Sequence, residues 1–240
     1  MIVLFTYPSL FGLPDNNPYG LKVIAFLRLG GVPFEQRPIF DASAAPRGQL
    51  PYIEDDGVTV GDSDAILAHV TARYRVTLDQ GLSPAQRRLD LLIRRTLDDL
   101  YWVMSYARWH DPANWPQFRD GLLAEHPQLT KEALDAARAY NFQRYHYQGI
   151  GRFEPEQAYA RGLADLGALA SLLEASPYLL DARPRSTDAG AYGFLANILF
   201  HPIDNPLKRC FAQHPVLAGY TQRLHGAVQA GPAGADVAAG

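Results

Sequence analysis

The sequence predicts a small α+β domain followed by an all-helical one, and three observations predict it. Over the first ~78 residues the hydrophobic pattern switches repeatedly between strand and helix periods. From residue 83 onward it holds helical spacing almost throughout. Between them, residues 77–83 read as a linker, so the chain divides into 1–78, 83–228 and a Gly/Ala-rich tail, 229–240, whose composition predicts disorder.

Each element has a local cause. Ile2 to Thr6 is an apolar run that reads as a buried strand, followed by a turn-rich loop with Pro8, Gly12, Pro14 and Asp15. A helix begins at Asn17-Pro18, because Asn is a preferred N-cap and Pro suits the first helical position. Leu21, Ile24, Phe26 and Leu27 give that helix its apolar face, and Gly30-Gly31 stops it. Phe34 to Ile39 is a second strand, and a β-α-β opening implies a parallel pair with a right-handed crossover. Gln49 to Ile53 leads into a third strand, Asp56-Gly57 turns a hairpin, and Val58 to Val60 returns. Gly61-Asp62-Ser63-Asp64 starts a helix with the stripe Ile66, Leu67, Val70 and Tyr74. The wiring β-α-β-β-β-α is that of a thioredoxin-like domain.

The helical half opens on a capping box, Ser83 with Gln86, and Pro84 in the first position. Leu89, Ile93, Leu97, Leu100, Met104 and Ala107 carry the stripe to Asp111-Pro112, a helix of about 27 residues. Further helices are expected at roughly 130–147, 155–175, 187–200 and 215–228. The segment Ala189 to Phe200 is apolar nearly all round, as suits a helix at the centre of a bundle.

Composition narrows the function. A net charge of −3 without runs of one sign argues against nucleic-acid binding. No stretch reaches the ~18 uncharged apolar residues of a membrane span. The first 14 residues lack a basic region and a small-residue cleavage site, so no signal peptide is expected. One cysteine, Cys210, excludes an intramolecular disulfide, and seven histidines without ligand spacing give no metal site. A cytoplasmic globular protein is expected.

The motifs then carry a resemblance. Leu50-Pro51-Tyr52-Ile53, Asp56-Gly57 and Asp62-Ser63-Asp64-Ala65-Ile66 resemble the glutathione-binding half of glutathione transferases. Asn17-Pro18-Tyr19 with Leu21-Lys22, Phe26 to Leu29, Gly81 to Pro84, Tyr101-Trp102, Gln148 to Arg152 and Gly193 to Asn197 resemble a narrower branch. That branch contains the metaxins, the failed-axon-connections proteins and their bacterial relatives. The resemblance covers roughly residues 2–225 and implies a glutathione-transferase fold, with glutathione as co-substrate in a cleft between the domains and a two-fold homodimer.

It also implies roles. Ser63, at a helix N-terminus, would meet the γ-glutamyl carboxylate of glutathione, where free N–H groups and the dipole favour an anion, with Asp62 beside it for the ammonium group. Pro51 would be a cis-proline that turns the backbone of Leu50 towards the ligand's cysteinyl unit. Asn17 would donate its amide to the thiolate, and Tyr7 is a second candidate donor. Both Asp62 and Ser63 would also serve as ordinary caps, and so would Asn17. Where relatives often carry Cys, this chain has Gly20, so disulfide exchange through Asn17-Pro18-Tyr19-Gly20 has no thiol to use. Tyr101, Trp102 and Tyr106 would line an apolar pocket for a small electrophile. Arg94, Arg95, Asp98 and Asp99 read as i,i+4 pairs in a solvated or dimer-facing network, and Ser186 as a shifted cap where relatives place Thr at the position of Arg185. The resemblance implies two functions: a glutathione-dependent transferase, or a non-catalytic binding or adaptor protein of the same fold, like the metaxin-like relatives.

Overall fold

The computed structural model describes residues 1–230. Four strands form one mixed sheet in the order β2-β1-β3-β4: β1 Ile2–Thr6, β2 Phe34–Pro38, β3 Tyr52–Asp55 and β4 Val58–Gly61. β1 pairs in parallel with β2 across α1 (Pro18–Leu29), the crossover that the β-α-β pattern requires. β3 runs antiparallel to both β1 and β4. Its hairpin turns at Asp56 and Gly57, both at positive φ (48° and 83°), the mirror-image turn whose twist matches that of the strands. α2, Ser63–Tyr74, completes the thioredoxin-like unit.

The second unit holds α3 Pro84–Trp109, α4 Trp115–Glu125, α5 Lys131–Gln148, α6 Pro155–Ala175, α7 Ser186–Leu199, α8 Pro206–Gln213 and α9 Pro215–Ala230. The Ser83–Gln86 capping box is formed on α3. From Thr187 to Ile198 every residue of α7 is buried, as its all-round apolarity demands. One hydrophobic cluster runs continuously from Ile2 and Leu4 under the sheet to Leu217 and Leu224 in α9, so the two units share a core.

Across that core α1 packs directly against α7. A Cβ on Gly193 would stand 2.3 Å from the Pro18 carbonyl and 2.8 Å from the Lys22 nitrogen. Only glycine lets the α7 backbone lie against α1 at this distance, and this contact sets how the helical unit faces the N-terminus of α1.

Three expectations need correction. α4 and α8 were not expected. α4 begins at Trp115-Pro116 behind Asn114, which makes no side-chain cap, so there was little start signal. α8 has only eight residues, yet Asn205-Pro206 repeats the Asn-Pro start of α1, and Asn205 caps it by accepting from Lys208. Ser186 is not a cap either, since its N–H and hydroxyl both donate to Asp79. Asp188 closes that helix end from inside, accepting from the Arg185 N–H at 2.8 Å. Of the expected tail, Gln229 and Ala230 close α9, and 231–240 lie outside the described residues.

Candidate active site

A cavity of about 450 Å³ opens between the sheet unit and the helical unit, above the N-terminus of α1. Asn17 stands at its floor. The Asn17 Oδ1 accepts the Tyr19 N–H at 2.9 Å and so caps α1. Its Nδ2 has no partner among the described residues, and Asn17 lines the cavity. Cap and donor are different atoms of one amide, so the two readings of Asn17 do not compete. Tyr7 lines the same cavity, and burial first, then Tyr101 and Asp15, push its phenol up.

The wall on the sheet side is made by the sequence Leu50-Pro51, whose peptide bond is cis, and by the start of α2. Asp62 caps α2, its Oδ1 accepting from Asp64 at 3.0 Å and Ala65 at 3.1 Å. Its backbone sits at φ 76° and ψ 127°, a strained conformation for a non-glycine residue of the kind that clusters at functional sites. Ser63 is buried, and its hydroxyl accepts from the Lys22 ammonium at 3.0 Å. Lys22 also pairs with Asp64, which takes Arg94 at 2.9 Å on its other oxygen. Those cations hold the Asp64 carboxyl below the usual range despite the opposing effect of burial. The result is a positive charge, 6% exposed, directly under Ser63. Arg47, at the rim, stands 3.5 Å from Asp62.

On the helical side Tyr101 and Trp102 line the cavity with Tyr140 and Arg144 of α5. Tyr106 does not. It is buried, stacked on His110 with ring centroids 4.4 Å apart and edge-on to Tyr159, because here α5 and α6 close over α3 with Tyr145 and Tyr159. The charges of α3 also differ from expectation. Arg94 reaches Asp64 and Asp90, Asp99 pairs with Arg161, and only Arg95–Asp98 stays within the foursome, at i,i+3. Asp98 faces the cavity and accepts from the Tyr19 hydroxyl at 3.0 Å, a bond between the two units. Burial, then the Asp98 charge, drive the Tyr19 phenol well up, so it remains a donor.

Lys22, Tyr19, Asp98, Arg47 and Arg144 were not singled out as site residues from sequence. Lys22 had a signal: a lysine inside Gly20-Leu21-Lys22-Val23-Ile24, where every neighbour is buried, needs a partner for its charge.

The chain matches the glutathione S-transferase N-terminal domain over residues 18–114 and the glutathione S-transferase C-terminal domain over 162–224. It is 34% identical over 233 residues to isoprene-epoxide–glutathione S-transferase of Rhodococcus sp. strain AD45, covering 93% of this chain and 98% of that one. The chain belongs to the glutathione S-transferase superfamily. Within the superfamily it is also 28% identical over 240 residues to Failed axon connections of Drosophila melanogaster, covering 93% of this chain and 57% of the fly protein. The fold is shared with the theta class glutathione S-transferase of Xanthomonas axonopodis pv. citri solved with glutathione bound, at 18% identity, TM-score 0.59 and 96% coverage of both chains.

Proposed function

We propose that this protein is a glutathione-dependent transferase that conjugates a small electrophile in the cleft above α1. One observation supports the reading: a single cavity joins Ser63, Asp62 and Leu50 on one wall, the Asn17 Nδ2, unpartnered among the described residues, on its floor and an aromatic wall opposite. Ser63 and Lys22 receive the γ-glutamyl carboxylate, Asp62 its ammonium group, and the backbone of Leu50 beside Pro51 the cysteinyl unit. The Asn17 Nδ2 donates to the thiolate, with the α1 dipole favouring the same charge. Tyr7 is the second donor. Tyr101 and Trp102 hold the electrophile, which the Rhodococcus relative supports as an epoxide. Catalysis is thiolate activation plus proximity, with no covalent enzyme intermediate.

Calorimetric titration with glutathione, followed by conjugation assays, tests the reading. Absence of binding at millimolar glutathione would favour the adaptor alternative, which the Drosophila relative and the missing thiol in Asn17-Pro18-Tyr19-Gly20 support. A reducing, cytoplasmic setting suits a glutathione user whose one thiol, Cys210, is buried. We propose a two-fold homodimer, which sedimentation would reveal as a species of twice the 26.5 kDa chain mass.

A further inference from the structure

The helical wall of the cleft holds a cation that the structure leaves without an anion. Arg144 lines the cavity half-buried, and among the described residues no carboxylate lies within ion-pair distance of it. Its guanidinium instead lies over three aromatic rings, at 5.2 Å from Trp102, 5.8 Å from Tyr140 and 6.0 Å from Tyr101. One terminal nitrogen donates to the Asn141 side chain at 2.9 Å, and the other reaches the Tyr101 hydroxyl at 3.5 Å. Asn141 is itself fixed, buried and donating to the Ala137 carbonyl at 3.0 Å. The group is therefore held in place before any ligand arrives, with N–H groups to spare.

A purely apolar electrophile has no use for such a residue. Desolvating an unpaired guanidinium costs free energy unless negative charge meets it, and prearranged donors act most strongly on charge that develops during reaction. We propose that Arg144 stabilises the oxygen of an epoxide as its ring opens, which makes the acceptor a small, neutral, largely apolar epoxide. This deepens the glutathione-transfer reading and rests on it. The sulfur of the glutathione thiolate forms a bond to one ring carbon, and the bond from that carbon to oxygen breaks with its electron pair going to oxygen. The alkoxide then takes a proton from water in the open cleft. The thiol proton has already gone to solvent, so the sum is one thiol added across one C–O bond. Arg144 donates to the oxygen throughout, while Tyr101, leaning on the same guanidinium, borders the place where that oxygen would lie.

The test compares two electrophiles that differ in whether an alkoxide forms. Styrene oxide opens to one, whereas chlorodinitrobenzene expels chloride. In Arg144→Gln, kcat for styrene oxide should fall about 100-fold, the loss typical of one oxyanion donor, with KM little changed. Turnover of chlorodinitrobenzene, whose charge builds on the ring and its nitro groups rather than on an alkoxide, should fall far less than that of styrene oxide. Glutathione affinity and thermal stability should stay near wild type, and Arg144→Lys should recover part of the epoxide rate by restoring the charge. Equal losses with both electrophiles, or none with either, would overturn the proposal. So would a wild-type enzyme that conjugates chlorodinitrobenzene but no epoxide, an outcome that leaves the transferase reading standing. A wild type that binds no glutathione and conjugates nothing removes both.

Discussion

The Oδ2 atom of Asp15 fills the space that a side chain at position 20 would need: a Cβ on Gly20 would stand 1.7 Å from it. Asp15 is fully buried, its Oδ1 accepting the Asn17 N–H at 2.7 Å while Oδ2 finds no partner. A carboxyl thus occupies the space beside the Gly20 backbone, and it holds the backbone of the residue that caps α1.

Gly20→Ala should therefore destabilise the fold by about 1–3 kcal/mol through overpacking, since the carboxyl has nowhere to move. The double variant Gly20→Ala with Asp15→Ala should recover part of that loss. Urea unfolding of the wild type and the two variants measures it. A single Gly20→Ala as stable as wild type would show that Asp15 readily yields the space.

Asp15 also predicts a pH dependence. Burial raises its pKa well above the usual carboxylate range, against the smaller lowering from the Asn17 and Tyr7 N–H groups and the Arg108 charge. A raised native pKa means the folded state keeps a proton that the unfolded chain loses. The stabilisation is complete below the unfolded value near pH 3.9 and drains away as pH rises towards the native pKa, at about 1.4 kcal/mol per pH unit. Asp15→Asn abolishes this contribution. The stability of wild type relative to Asp15→Asn should fall from pH 4 upward and then level off. A difference that is constant from pH 4 to 7 would mean that Asp15 titrates alike in both states.

Much of this was legible in the sequence, for local reasons. The strand Ile2–Thr6, the Asn17-Pro18 start and the Ser83–Gln86 box are encoded by residues a few positions apart, and the structure has them as read. The cleft is a different matter. Asn17, Leu50, Pro51, Asp62 and Ser63 do border it, and so do Tyr7, Tyr101 and Trp102, but Tyr106 lies in the core because α5 and α6 supply Tyr145 and Tyr159 to cover it. The charges of α3 misled for a related reason. Spacing along one helix says who is able to pair, and the sheet unit supplied Asp64 and Tyr19 as better partners. Lys22 beneath Ser63 and Asp15 beneath Gly20 depend on folding distant segments together.

Lys22 gives the third prediction. Its ammonium lies 3.0 Å from the Ser63 hydroxyl and is shared with Asp64, so it places positive charge where the γ-glutamyl carboxylate is proposed to bind. Lys22→Gln should raise the Kd for glutathione about 10- to 100-fold, as expected for losing a hydrogen bond to a charged group, and Ser63→Ala should act similarly. Because the two groups touch, the double variant should lose less than the sum, with a coupling of at least about 0.5 kcal/mol. Strictly additive losses in calorimetry would mean that the residues act on separate parts of the ligand.

The fourth prediction separates the two jobs of Asn17. Its Oδ1 caps α1, and its Nδ2 is proposed to donate to the thiolate of bound glutathione. Asn17→Ala removes both, costing about 0.5–2 kcal/mol of stability from the lost cap whatever happens in the cleft. Stability alone therefore cannot tell the roles apart. Asn17→Asp can, because Asp caps as well as Asn, and its second oxygen replaces the donor with negative charge beside the sulfur. A thiolate next to a carboxylate is the less stable form, so the thiol pKa of bound glutathione should rise while the melting temperature stays near wild type. The ultraviolet absorbance of the thiolate, followed as pH is raised in the saturated complex, reads this directly. Conjugation at neutral pH should fall in step with the thiolate fraction and recover at higher pH. If the bound thiol titrates identically in wild type and Asn17→Asp, Asn17 is a cap alone, and Tyr7→Phe becomes the variant in which the shift should appear.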